Sequence, residues 1–135
     1  VQLVQRGHSP GKGLLALLGG VLEQSDTLQA SPKRELQEEI GLALSAEGWQ
    51  AALQGVRVFN YPYRSRRGRT ITHVYVLHLP GDALPEVQGG DDAAAADWVP
   101  LQELWQLEPQ FFEDHFHILR TCFAQFGGGP LPALP

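Results

Sequence analysis

Apolar residues enter the chain at once. Leu3 and Val4 lie among Val1, Gln2, Gln5 and Arg6, which predicts a strand over 1–6. A glycine-rich stretch, 7–13, then reads as a loop, and Leu14 to Leu18 as a short apolar run ended by Gly19-Gly20. From Thr27 to Ile40 the period changes. Leu28, Pro32, Leu36 and Ile40 recur every fourth residue, placing one apolar stripe on a helix with charges opposite, and Gly41 follows as a helix C-terminal glycine. A strand is expected over 54–61, and its hairpin partner over the β-branched and aromatic run 71–79. Between them lies an arginine-rich turn, Arg64 to Arg69. Pro80-Gly81-Asp82 reads as a turn and Gly89-Gly90-Asp91-Asp92 as an acidic loop. A short strand follows around 97–99, then a helical turn over 100–105 and a last helix over 111–126. Mixed strands and helices give an α/β or α+β class.

Composition narrows this picture only a little. The 135 residues suit one domain, here 1–126 followed by a loosely ordered tail, 127–135. No apolar run reaches the roughly 18 residues of a membrane span. The single cysteine, Cys122, forms no internal disulfide, which with the missing signal peptide leads us to expect a cytoplasmic protein. A net charge of -5 weighs against general nucleic-acid binding. The absence of methionine and an immediate strand lead us to expect a further segment ahead of Val1.

The chemistry concentrates in residues 19–42. Glu35, Glu38 and Glu39 fall within about one-third of the helix circumference. Carboxylates at this spacing repel one another, a cost that disappears when a hard divalent cation sits among them. A solvated acidic face balanced by Lys33 and Arg34 is the plainer alternative.

The glutamates belong to a longer pattern. Gly20 is followed after five residues by Asp26, and after seven more by Arg34-Glu35-Leu36. One residue on come Glu38-Glu39, and after one more Gly41-Leu42. This closely resembles the Nudix box, with aspartate at Asp26 where the family has glutamate. Beyond it, 59–80, 84–104 and 111–119 resemble the Nudix domain of bifunctional nicotinamide mononucleotide adenylyltransferase/ADP-ribose pyrophosphatase proteins. The resemblance implies a Nudix α/β/α sandwich with a mixed sheet. It also implies Mg²⁺- or Mn²⁺-dependent hydrolysis of a nucleoside diphosphate derivative, with ADP-ribose yielding AMP and ribose 5-phosphate. Glu38 and Glu39 would be the principal metal ligands, with Glu35 a further ligand or an acid just outside the ligand set, and Gly20 offering its carbonyl. Arg34 would orient the glutamates, and Asp91 or Asp92 would orient or deprotonate water. The resemblance brings with it a homodimer and fusion to an upstream adenylyltransferase domain as expectations. This chain lacks the HxGH motif such a domain carries.

Arg64, Arg67 and Arg69 are the expected substrate-binding residues, since guanidinium forks suit phosphate oxygens. Tyr61 and Tyr63 beside them keep a nucleic-acid reading open as a lesser alternative. Three features favour a second reading, a catalytically impaired module that senses nucleotides or binds a partner: Asp26, Leu18 in place of a common proline, and Pro32 inside the helix. Ser31-Pro32 would suit an N-cap followed by the first helical position. His115 and His117 point in different directions and read as structural, as do the aromatic residues Trp98, Trp105, Phe111, Phe112, Phe116 and Phe123.

Overall fold

Strand β1, Gln2–Arg6, lies at the centre of a three-stranded antiparallel sheet. On one side it pairs with the short β2, Leu15–Ala16, with Val4 opposite Ala16. On the other it pairs with β5, Ala93–Trp98, where Gln2 lies opposite Trp98. The computed structural model describes residues 2–17, 19, 27, 30–40, 44–79 and 93–126, with backbone alone for 2, 39, 40 and 93–97. The turn Pro80-Gly81-Asp82, the acidic loop with Asp91 and Asp92, and the tail 127–135 lie outside those residues.

A second sheet holds β3, Leu53–Phe59, and β4, Thr72–Leu77, as an antiparallel hairpin. The expected mixed sheet is represented among the described residues by antiparallel pairs and a parallel bridge between Leu15 and Phe111.

Helices cover both faces of the hairpin. Alternation along β3 and β4 sends Phe59, Val74 and Val76 to one face, where they meet Ile118 and Cys122 of α4, His115–Phe126. Tyr75 and Leu77 point the other way and pack on Leu36 of α1, Ala30–Ile40, and Trp49 of α2, Ala46–Ala52. This is an α/β/α sandwich. Helix α4 also reaches the first sheet, because Phe116 and Leu119 join Leu3, Leu104 and Phe111 in a second core cluster. Leu104 opens α3, Leu104–Leu107, and is wholly buried.

Helix α1 corrects one local expectation. Thr27, rather than Ser31, supplies the N-terminal cap: its hydroxyl accepts the Ala30 N–H at 3.1 Å and its carbonyl the Ser31 N–H at 3.2 Å. Pro32 therefore lies within the helix, close to its start. Counted from that cap, Pro32 lies just past the first turn and removes one intrahelical N–H donor, yet the helix runs on to Ile40. Helix α2 was not expected. Ser45 caps it by accepting the Gly48 N–H at 3.0 Å, while Gly48 itself weakens the helical signal in the sequence.

The 7–13 loop closes the β1–β2 hairpin through Gly13 N–H to Arg6 carbonyl at 2.8 Å and Arg6 N–H to Leu14 carbonyl at 2.9 Å. Gly11 has φ +74°, and a Cβ there would fall 2.3 Å from the ring of buried Phe112. Gly11→Ala is expected to cost about 2 kcal/mol from backbone strain and overpacking. A chemical denaturation curve with an unchanged slope and a lower midpoint would register it.

Candidate active site

Two regions carry the candidate chemistry, helix α1 and the arginine-bearing loop of residues 60–71. On α1, Arg34 Nη1 donates to Glu35 Oε1 at 3.2 Å and to Glu38 Oε2 at 3.1 Å. The i,i+4 spacing makes the second contact possible, since those residues are neighbours on the helix surface. One guanidinium thus draws together two carboxylates that would otherwise repel. Glu35 is largely buried and Glu38 more than half exposed, at 56% of its side chain. The pair therefore presents one outward acid and one held inward.

Glu39 has its backbone within α1, while its side chain lies outside the described atoms. Gly20, Asp26 and Leu18, and the candidate bases Asp91 and Asp92, also lie outside the described residues. Among the described residues, no three His, Cys, Asp or Glu side chains are grouped to hold a metal ion. Glu35 and Glu38 are nonetheless hard oxygen donors already gathered on one helix face, which fits Mg²⁺ or Mn²⁺.

The arginine loop divides by role. Arg64 is buried, at 5% side-chain exposure, and meets Asp114 with a two-pronged fork: Nε to Oδ2 at 2.9 Å and Nη2 to Oδ1 at 3.0 Å. Its Nη1 donates to Thr72 Oγ1 at 2.7 Å and to the Thr70 carbonyl at 3.3 Å. Four of its five N–H donors thus serve the protein itself. Ser65, also buried, donates its hydroxyl to Glu113 Oε1 at 3.2 Å and accepts the Arg67 N–H at 3.2 Å. Arg67 is half exposed, with Nε 3.8 Å from Glu113 Oε1 and its guanidinium 5.5 Å from the Phe112 ring. Arg69 is exposed, as are Arg66, Tyr61 and Tyr63. Arg66, Arg69, Pro62, Tyr63, Ser65 and Gly68 line an open groove at the loop.

Sequence reasoning missed the acids that hold this loop, Glu113 and Asp114. The available signal was their place immediately before a helix, where an acid ordinarily reads as a cap.

His115 proves structural, as expected. Its Nδ1 accepts the Leu17 N–H at 3.0 Å, which requires a neutral imidazole at that nitrogen. Burial lowers its pKa to about 4, outweighing the upward pull of Asp114 and Glu113, while Arg64 and Arg6 push it further down. The unfolded histidine titrates near 6.5, so its contribution to stability is complete above that pH and is lost as pH falls towards 4. The loss is about 3 kcal/mol at most. Denaturation at pH 7 and pH 4.5 should show this component in the native chain, and a smaller total difference between the two pH values in His115→Asn, which lacks it. Cys122 is a buried free thiol whose pKa burial raises, which marks it as a packing residue.

A carboxylate helix on one side of an α/β/α sandwich, with the spacing of residues 20–42, defines the class. The NUDIX domain family model matches residues 1–122, and the chain belongs to that family. The ADP-ribose pyrophosphatase of Methanocaldococcus jannaschii is 33% identical over 120 residues, covering 89% of this chain and 63% of that protein. A crystal structure of a bifunctional NMN adenylyltransferase/ADP ribose pyrophosphatase from Francisella tularensis is 37% identical, with a TM-score of 0.85. That match covers 92% of this chain and 37% of that one. The same Francisella protein complexed with AMP and a manganese ion matches with a TM-score of 0.86. The chain therefore spans less than two-thirds of each of these relatives. The NUDIX domain of Shewanella oneidensis NrtR, at 21% identity and a TM-score of 0.69, shares the fold. Among the described residues, no helix is long and apolar enough to cross a membrane.

Proposed function

We propose that this domain hydrolyses a nucleoside diphosphate derivative with the help of Mg²⁺ or Mn²⁺, and that ADP-ribose is its substrate. The observation that carries the reading is the Arg34 guanidinium holding Glu35 and Glu38 together on one helix face, in a chain of this family. Identity to an ADP-ribose pyrophosphatase, and to a bifunctional protein named for that activity, supports the choice of substrate.

In this account water attacks a phosphorus of the diphosphate and the bridging P–O bond breaks. AMP and ribose 5-phosphate leave. Glu35, Glu38, Glu39 and the Gly20 carbonyl would hold the metal, which when bound supplies charge stabilisation to the phosphoryl oxygens. Arg34 keeps Glu35 and Glu38 from splaying before the ion arrives. Arg67 and Arg69 offer guanidinium donors to the diphosphate, while Arg64 positions the loop that bears them. Asp91 or Asp92 is our proposed group for orienting or deprotonating the water.

Pro32 is one of the three features that favour a non-catalytic sensing module. Its place near the start of an intact α1 weakens that reading. The test is an assay for AMP released from ADP-ribose with and without Mg²⁺. Metal-dependent turnover abolished by Glu38→Gln or Glu39→Gln supports the hydrolase. Binding of ADP-ribose without turnover at any metal concentration supports the sensor.

A further inference from the structure

The residues just ahead of α4 contact two parts of the chain that are far apart in sequence. On one side they bind β2 and its continuation. Phe111 forms a parallel bridge to Leu15, the Phe112 N–H donates to the Leu15 carbonyl at 2.7 Å, and His115 Nδ1 accepts the Leu17 N–H. On the other side they bind the arginine loop. Asp114 takes the fork of Arg64, and Glu113 takes the Ser65 hydroxyl and faces Arg67 Nε. Phe112 is buried, with the guanidinium of Arg6 4.0 Å and that of Arg67 5.5 Å from its ring.

Glu113 holds a positive φ of 45°, a conformation costly for a residue with a Cβ. That conformation belongs to the turn in which Glu113 and Asp114 face the loop and His115 faces Leu17. Leu17 lies three residues before Gly20 in the chain, so its amide is close to the entry of the carboxylate motif.

We propose that residues 112–115 form a positioning clamp that fixes the arginine-bearing loop relative to the strand leading into the carboxylate motif. Asp114 sets the loop and His115 sets the chain ahead of Gly20. The role in catalysis rests on the hydrolase reading above, whereas the coupling of the two segments does not. Neither residue need touch substrate. Asp114 acts through Arg64 on the loop carrying Arg67 and Arg69, and His115 acts through a backbone amide. The two halves should therefore separate kinetically. Loosening the loop weakens substrate binding, and loosening the motif's entry slows the reaction.

The experiment compares Asp114→Ala, Asp114→Asn, His115→Ala and His115→Asn in the full chain. Each is read by steady-state kinetics with ADP-ribose and Mg²⁺ and by amide hydrogen exchange. Asp114→Ala is expected to raise KM about tenfold with kcat within about twofold, and Asp114→Asn, which keeps one acceptor, to raise it less. His115→Ala is expected to lower kcat about tenfold at nearly constant KM. His115→Asn should restore most of it, because the asparagine oxygen stands near the place of Nδ1. Exchange should quicken over 64–70 in the Asp114 variants and at Leu17 in His115→Ala. If all four variants change KM and kcat together in proportion to lost stability, or if neither segment's exchange responds, the clamp is wrong. If the native chain fails to turn over ADP-ribose, the hydrolase reading falls, and the exchange pattern alone decides the clamp. Should Asp114→Ala not fold, Asp114→Asn carries the same comparison.

Discussion

Glu38→Gln is expected to lower kcat/KM for ADP-ribose by about 10³-fold, equivalent to about 4 kcal/mol of transition-state stabilisation. The substitution keeps size and one acceptor oxygen, exchanges the other for an amide donor, and removes a negative charge from an exposed position on α1. If the acid face merely met water, the change would be nearly neutral, since relief of the Glu35–Glu38 repulsion offsets the weakened Arg34–Glu38 ion pair. The Arg34 contact would survive as an ordinary hydrogen bond to the amide oxygen. Loss of activity at an unchanged melting temperature therefore points to a ligand rather than to a structural prop. Kinetics alongside a thermal melt check both halves. Glu35→Gln should also reduce activity but disturb stability more, because that side chain is held inward beside Arg34.

The largest effect on stability is expected from Arg64→Ala, about 3 kcal/mol, or a fall in melting temperature of about 10 °C. The guanidinium is buried and makes four hydrogen bonds to Asp114, Thr72 and Thr70. Removing it leaves the Asp114 carboxylate without its fork partner and Thr72 Oγ1 without that donor. Arg64→Lys keeps the charge but not the fork geometry, and should recover less than half of the loss. Differential scanning calorimetry of the three proteins distinguishes a buried tie from a surface arginine, whose loss would shift the melt by about 1 °C or less. Of Arg64, Arg67 and Arg69, Arg64 is thus the one whose side chain is most fully taken up by the fold, while Arg67 stays half exposed beside Glu113. Arg67→Ala should act chiefly on KM.

The fold was legible where a period persisted. The stripe through Leu36 marked the buried face of α1, and the β-branched run after Arg69 marked β4. Strand β1 was visible because its apolar residues sit in a central, doubly paired strand. Helix α2 escaped because seven residues hold too few turns to display a period, and Gly48 breaks the propensity. The last helix was placed four residues early, since Phe111 and Phe112 continue an apolar pattern while their backbone serves Leu15.

The site was legible in α1 because charge spacing on one helix is a local property. The Arg34–Glu38 pair follows from i,i+4 geometry alone, whereas the contact of Arg34 with its neighbour Glu35 does not, since adjacent helical residues ordinarily point apart. The arginine loop was legible as a cluster but not as a division of labour. Whether an arginine faces solvent or an acid fifty residues away depends on where α4 begins, and no local pattern encodes that. His115 was readable as structural, though its partner, the Leu17 amide, was not.

The central claim is that the α1 acids bind a hard divalent ion, and titration calorimetry of Mg²⁺ and Mn²⁺ into the domain with AMP present tests it most directly. Saturable uptake in the native chain, weakened about tenfold or more by Glu38→Gln, is the expected result. An absence of metal uptake, or uptake that Glu38→Gln leaves untouched, would contradict it.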